Sequence, residues 1–318
     1  MSGEILSSKN TKLFSILKKL DDVKDLELPG LETAQKKEVL ARQIVDSIRR
    51  IEYVEKLEKV NLSELRKNPN STLFDPLKAA VLHSKNGNVD EAFWLLFLAT
   101  HFGKSPAYGW SVVSDIYGRR GEGEAWTWDR VTADWSSFES WFKLASLEIC
   151  NEKPKLKFSN HRKYQSLRHD TKNSVPTVVK SYIDYIGSHN SHLAKIAEAE
   201  YATSGDKSLQ FDYFFKGLKS QVKSFSRLGV FDLVTMWAKV GLVNFYPQKA
   251  YFAGSTGPIP GATLLFYGVE GGYSPDALEE KLSELSPQLD LGSYSMQIFE
   301  DALCNWQKSP TEYIQFKG

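Results

Sequence analysis

Around residue 300 the chain sets two carboxylates side by side, Glu300 and Asp301, inside the run Met296-Gln-Ile-Phe-Glu-Asp-Ala-Leu-Cys-Asn-Trp-Gln-Lys308. The run reads as a helix with Ile298, Ala302 and Asn305 on one flank and Leu303 and Trp306 on another. A carboxylate among apolar side chains is costly unless a cation answers it or a reaction uses it. Two readings stay open: an ion pair with a Lys or Arg of a neighbouring helix, or a charge kept for chemistry. A second segment with chemical character is Gly254-Ser-Thr-Gly-Pro-Ile-Pro-Gly-Ala262. It is expected to join a short helix over Gln248 to Phe252 to another starting near Gly261. A glycine-rich loop feeding a helix N-terminus can turn backbone N–H groups towards a phosphate, as in a helix-hairpin-helix DNA clamp. The same pattern also suits a plain turn.

Two cationic stretches stand out. Between residues 152 and 172, seven Lys or Arg face two acids, and Asn160, His161, Arg162, Lys163 and Tyr164 fall inside the run. Cations interleaved with rings suit a nucleic-acid backbone with a stacked base, and equally a solvated charged face. A helix expected from Phe211 to Arg227 would bury Phe211, Phe214 or Phe215, Leu218, Val222 and Phe225. Its opposite face would carry Lys216, Lys219, Lys223 and Arg227 as a second cationic stripe. Two other patterns lead nowhere. Gly103-Lys104-Ser105 resembles the end of a phosphate-binding loop, but Leu98 stands where that loop needs glycine, and a helix precedes it. His189 and His192 are three residues apart, yet no third ligand is near, and the segment reads as a solvated helix start.

The elements that would position these residues are helical. Leu40, Ile44, Ile48, Ile51 and Val54 recur every three or four residues, the stripe of one long helix. Asn68-Pro69-Asn70-Ser71 breaks that pattern, so residues 1–70 read as a helical extension and 71–318 as the main, catalytic domain. Pro76 opens a helix to about Ser84, and Asp90 is placed as the N-cap of the next. That next helix, Glu91 to about His101, is apolar nearly all round and should be central. Ser174 and Pro176 start a further helix that Gly187 ends. Alternating strands are scarce, with Val240 to Tyr246 the best candidate. The expected class is mainly α.

Composition narrows the possibilities. Forty basic against thirty-nine acidic residues give a net charge of +1 over 318 residues, which excludes a uniformly basic coat for nucleic acid. The longest apolar run, Ala92 to Ala99, is far too short to span a bilayer, which takes roughly 20 residues. The opening residues carry no apolar signal-peptide core, and two cysteines are too few for a disulfide framework. A cytoplasmic protein is expected, with no metal and no membrane association.

FLATHFGKSPAYGW, WTWDRV, FSNHRKYQSL, FDLVTMWAKVGL, STGPIPGATLLF and MQIFEDALCNWQKSP, in this order from about Phe97 to Gly318, resemble the α-glutamyl/putrescinyl thymine pyrophosphorylase family, third clade. The resemblance implies a helix-hairpin-helix DNA glycosylase-like fold, tied to hypermodified bases of phage DNA. One branch is similar to anti-phage glycosylases that excise a glucosylated hydroxymethylcytosine and leave an abasic site. Carried over, Thr256, Gly257 and Gly261 would grip DNA together with Lys216, Lys219, Lys223 and Arg227. Glu300, or secondly Asp301, would be the catalytic carboxylate, since adjacent helical residues point about 100° apart and only one can face a pocket. A base must leave the stack to be processed. Trp128, Trp306 and Tyr164 are the expected stacking residues, and Asn160, His161, Arg162, Lys163, Asp232 and Asn305 the expected hydrogen-bonding ones. The expected partner is double-stranded DNA carrying modified bases; no cofactor and no obligate protein partner are implied. The family name implies an alternative, installation of an amine on activated thymine with release of pyrophosphate. A helical protein-interaction module is the non-enzymatic alternative.

Overall fold

The computed structural model describes residues 2–153, 167–269 and 271–315, for residues 2–9 as backbone alone. The chain is mainly α: fourteen α-helices and no strand occur among the described residues. It gathers into two compact units, one of Met1–Val54 with Tyr246–Gly318, the other of Glu55–Phe245. The helices are α1 (Ser2–Asp21), α2 (Ala34–Leu57), α3 (Pro76–Lys85), α4 (Val89–Phe102), α5 (Ser111–Tyr117), α6 (Trp128–Ala133) and α7 (Trp135–Glu152). They continue with α8 (Val175–Ile186), α9 (His192–Ala202), α10 (Lys207–Gln221), α11 (Arg227–Lys239), α12 (Pro258–Tyr267), α13 (Pro275–Leu289) and α14 (Ser295–Trp306). The units do not part at the turn near residue 70, because residues 1–54 pack with the last three helices. No helix among the described residues is long and apolar enough to cross a membrane.

Local signals account for many of the ends. Asp75 accepts the N–H groups of Leu77 and Lys78 while Pro76 opens α3, the usual division of labour at a helix start. Gly187 closes α8 at φ 98°, where an L side chain would be strained. In α2 the stripe Leu40, Ile44, Ile51 and Val54 is buried, as its spacing requires. In the second unit α4 is central, buried from Glu91 to Phe102, and touches α3, α5, α6, α9 and α11. In the first unit α12 and α14 make the most intimate pair, with α13 against both and α1 against α13.

Four local expectations change. Residues 240–246 form no strand: Val240 is the C-cap of α11, and a lone strand has no edge to pair with. The helix expected from Phe211 to Arg227 is two helices, parted by an extended Val222 and by Ser224 at φ 60°. Helix α4 starts at Val89 with Asn88 as its N-cap, so Asp90 sits inside the first turn. Residues 248–252 form no helix. There Tyr251 has φ 54°, and the N–H groups of Ala250 and Phe252 both donate to the buried Glu279 carboxylate of α13, at 2.8 and 2.7 Å. Charge-assisted bonds to a carboxylate outcompete the single turn of helix that so short a segment could form.

Candidate functional site

Helix α14 splits its two carboxylates as the 100° rotation between neighbours demands. Asp301 turns to α2, where the Ser47 hydroxyl donates to it at 3.0 Å and the Arg50 guanidinium at 3.3 Å. Glu300 turns inward and is 4% exposed. Asp301 thus takes the ion-pair reading, and Glu300 is the more deeply buried of the two. Asn305 is tied to its own helix, its Nδ2 donating to the Asp301 carbonyl at 2.9 Å. Trp306 is fully buried (0% exposed) and donates from Nε1 to the Lys36 carbonyl at 3.1 Å. It packs the core and presents no ring face for stacking.

Two of the three glycines of the 254–262 loop, Gly257 and Gly261, do not face outwards. A methyl built on Gly261 would collide with the Leu303 carbonyl, and one on Gly257 with the Cys304 sulfur. Both glycines therefore let α12 approach α14 closely, which is how the loop helps to hold the helix that carries Glu300. The helix start is also a poor anion site. Gly257 is the N-cap and Pro258 the first residue, so Pro258 and Pro260 remove two of the N–H groups that a helix N-terminus usually leaves free. With no helix over 248–252, a helix-hairpin-helix is not formed here. Only Thr256 of the three expected DNA contacts in this loop is exposed.

The second unit holds a buried polar network that the sequence pattern did not reveal. One oxygen of Asp90 accepts both the backbone N–H of His192 at 2.6 Å and its Nδ1–H at 2.7 Å. The other ring nitrogen of His192 lies 2.9 Å from the Tyr182 hydroxyl, and the ring stacks on Phe93. Burial opposes the charge on Asp90, but the hydrogen bonds from His192 outweigh it and hold its pKa below the ordinary value. Burial lowers the pKa of His192 in spite of Asp90. The consistent state is a neutral imidazole that donates from Nδ1 and accepts the Tyr182 proton at Nε2. His192 is therefore a buried linchpin, not a solvated helix start.

Next to it, Glu91 accepts the Tyr117 hydroxyl and the Trp128 backbone N–H, each at 2.6 Å. Burial raises its pKa to about 7 against these bonds, with Asp129 adding repulsion. Trp128 is 1% exposed, donates from Nε1 to the Asn190 carbonyl at 2.6 Å and packs on His192. Like Trp306, it belongs to the core. A signal for this network did exist: Asp90 and Glu91 open a helix that is apolar all round, where a carboxylate needs a partner.

The cationic residues divide. Lys216 and Lys219 are exposed on α10, Lys216 paired with Asp212 at 2.5 Å. Lys223 is exposed in the connection to α11, whereas Arg227 is the first residue of α11 and buried, so the four do not form one stripe. Asp232 is half-buried on α11. Asn160, His161, Arg162, Lys163 and Tyr164 lie outside the described residues. Among the described residues, no three His, Cys, Asp or Glu side chains come together as a metal-ligand set.

A helical protein with a buried carboxylate on a close-packed helix pair is the class that fold and site define. The chain belongs to the alpha-glutamyl/putrescinyl thymine pyrophosphorylase clade 3 family, whose model matches residues 35–318. The match begins within α2, so the family's sequence takes in much of what reads as an extension. No curated protein and no solved structure matches the chain.

Proposed function

We propose that the chain acts on a hypermodified base in DNA and excises it, leaving an abasic site, as a defence against phage whose DNA carries glucosylated hydroxymethylcytosine-type bases. The family supports chemistry at a modified base, and the observation that carries excision is the deep burial of Glu300 on α14, the helix that α12 approaches closely through Gly261. Breaking the C1′–N bond leaves positive charge on the sugar. A carboxylate in a low-dielectric setting stabilises that charge or activates the attacking water, as in glycoside hydrolysis. Asp301, with its charge spread over Ser47 and Arg50, serves to hold α14 against α2 in this reading.

The reaction stops at the abasic site. A glycosylase that also cuts the strand uses a lysine amine as nucleophile and passes through a covalent imine that borohydride traps, so the two outcomes are separable. The family description favours a second reading, in which an amine displaces pyrophosphate from an activated thymine. One assay separates the two. Purified protein is incubated with phage DNA bearing sugar-modified bases, and free base, abasic sites and pyrophosphate are measured, with and without alkali. Excision yields free base and alkali-labile sites, and Glu300→Gln lowers their yield by about 100-fold or more while Asp301→Asn keeps most of it. Pyrophosphate release with a new amine adduct on thymine establishes the transferase. A protein–DNA adduct trapped by borohydride overturns the monofunctional reading, and inertness on all DNA leaves the interaction module.

A further inference from the structure

A pocket of about 360 Å³ opens in the second unit where the start of α7, the outer face of α8 and the end of α10 converge. That volume lies near the lower end of the ~300–1,000 Å³ of small-molecule sites. Its walls combine a ring, two cations and a hydroxyl. Trp135 contributes its indole, whose Nε1 is engaged with the Pro176 carbonyl at 3.2 Å, so the ring is anchored. Lys180 pairs with Asp184, while Lys223 has no acidic partner among the described residues. The Lys223 backbone is fixed by its N–H donating to the Ser181 hydroxyl at 2.9 Å.

Tyr185 completes the lining. It is 3% exposed, and its hydroxyl has no hydrogen-bond partner among the described residues. The hydroxyl is packed against α10, so Tyr185 forms the floor of the pocket. The neighbouring helix makes room for this hydroxyl: a methyl on Gly217, inside α10, would sit 2.7 Å from it. Glycine is disfavoured in a helix interior, and here it lets the Tyr185 ring lie against α10 beneath the pocket.

We infer that this pocket binds a nucleotide-sized phosphate ester carrying a flat ring, with Lys223 and Lys180 on the phosphate and Trp135 along the ring. Two lysines against Asp184 leave the pocket net positive, which suits a phosphate. The indole supplies the sequence-tolerant stacking surface that any base can use. Such a nucleotide arrives either free or as one residue of a single strand. The inference does not rest on base excision.

Calorimetric titration of the full chain with thymidine 5′-monophosphate, thymidine, inorganic phosphate and a short oligothymidylate tests it. Thymidine 5′-monophosphate binds, and thymidine and phosphate each bind at least about tenfold more weakly, since each lacks one half of the recognition. Lys223→Gln weakens the nucleotide by about tenfold and flattens its salt dependence. Trp135→Leu weakens it several-fold by removing the stacking face, and leaves the weaker binding of inorganic phosphate unchanged. If the oligothymidylate binds more tightly than the monophosphate and the same two variants weaken it, the ligand is a nucleotide of a strand; if it binds more weakly, the ligand is the free nucleotide. Failure of both to bind, binding unchanged in Lys223→Gln and Trp135→Leu, or equal binding of thymidine and its monophosphate overturns the inference.

Discussion

One oxygen of Asp90 accepts two hydrogen bonds from His192, a residue 102 positions away, joining the first turn of α4 to the first residue of α9. Because the backbone N–H of His192 is one of the two donors, the contact positions the start of α9 as well as the imidazole. Tyr182 extends the chain of bonds to α8. Three helices of the second unit are therefore tied through a buried imidazole and phenol and a half-buried carboxylate.

That tie should be energetically coupled. Asp90→Asn and His192→Gln are each expected to cost about 2 kcal/mol, and the double variant less than their sum by about 1–3 kcal/mol. Urea unfolding of the four chains measures the cycle. Strict additivity would mean that the two side chains meet without stabilising each other.

Glu91 should leave a signature in the pH dependence of stability. Its pKa is raised from 4.5 to about 7 in the folded chain, so the folded state holds the proton more tightly than the unfolded one. The stability this contributes is fully present below pH 4.5 and is lost as pH rises towards 7, by about 3 kcal/mol. His192 acts in the opposite sense, since its lowered pKa favours the folded state as pH rises. The difference in melting between the wild type and Glu91→Gln isolates the carboxylate. The wild type should lose ground relative to the variant between pH 5 and 7, and parallel curves would contradict the burial of a titrating Glu91.

Gly261→Ala should destabilise the first unit. Its methyl has no room against the Leu303 carbonyl, and backbone cannot yield as a flexible side chain can. The expected loss is about 2–3 kcal/mol, the range of overpacking in a filled core. An unchanged unfolding midpoint would show that α12 and α14 separate at little cost.

If the exposed lysines contact DNA phosphates, they act through salt. Lys219→Ala and Lys223→Ala should each lower the slope of log affinity against log salt by about 1, as the loss of one phosphate contact does. Lys216→Ala should do less, because Asp212 already holds that ammonium. Arg227→Ala should show itself in stability, since the side chain is buried. Equal slopes in all variants would place the DNA face elsewhere.

What the sequence determined by itself is what depends on neighbours within a turn or two. Asp75-Pro76, Ser274-Pro275 and Gly187 set helix ends through caps, a missing N–H and a permitted positive φ, all local properties. The unbroken apolarity of α4 announced a central helix, and the scarcity of alternation announced a mainly α chain. Tertiary structure decided the rest. Spacing cannot tell a glycine that frees a loop from one that admits a helix; only the place of the absent Cβ, against Leu303 or Cys304, separates them. Trp128 and Trp306 stand beside polar residues in sequence yet lie in the core, because burial is a property of the packed neighbourhood. Asp90 and Glu91 found His192, Tyr117 and Trp128 across long stretches of chain. A buried charge needs a partner, and folding alone brings that partner within hydrogen-bonding reach.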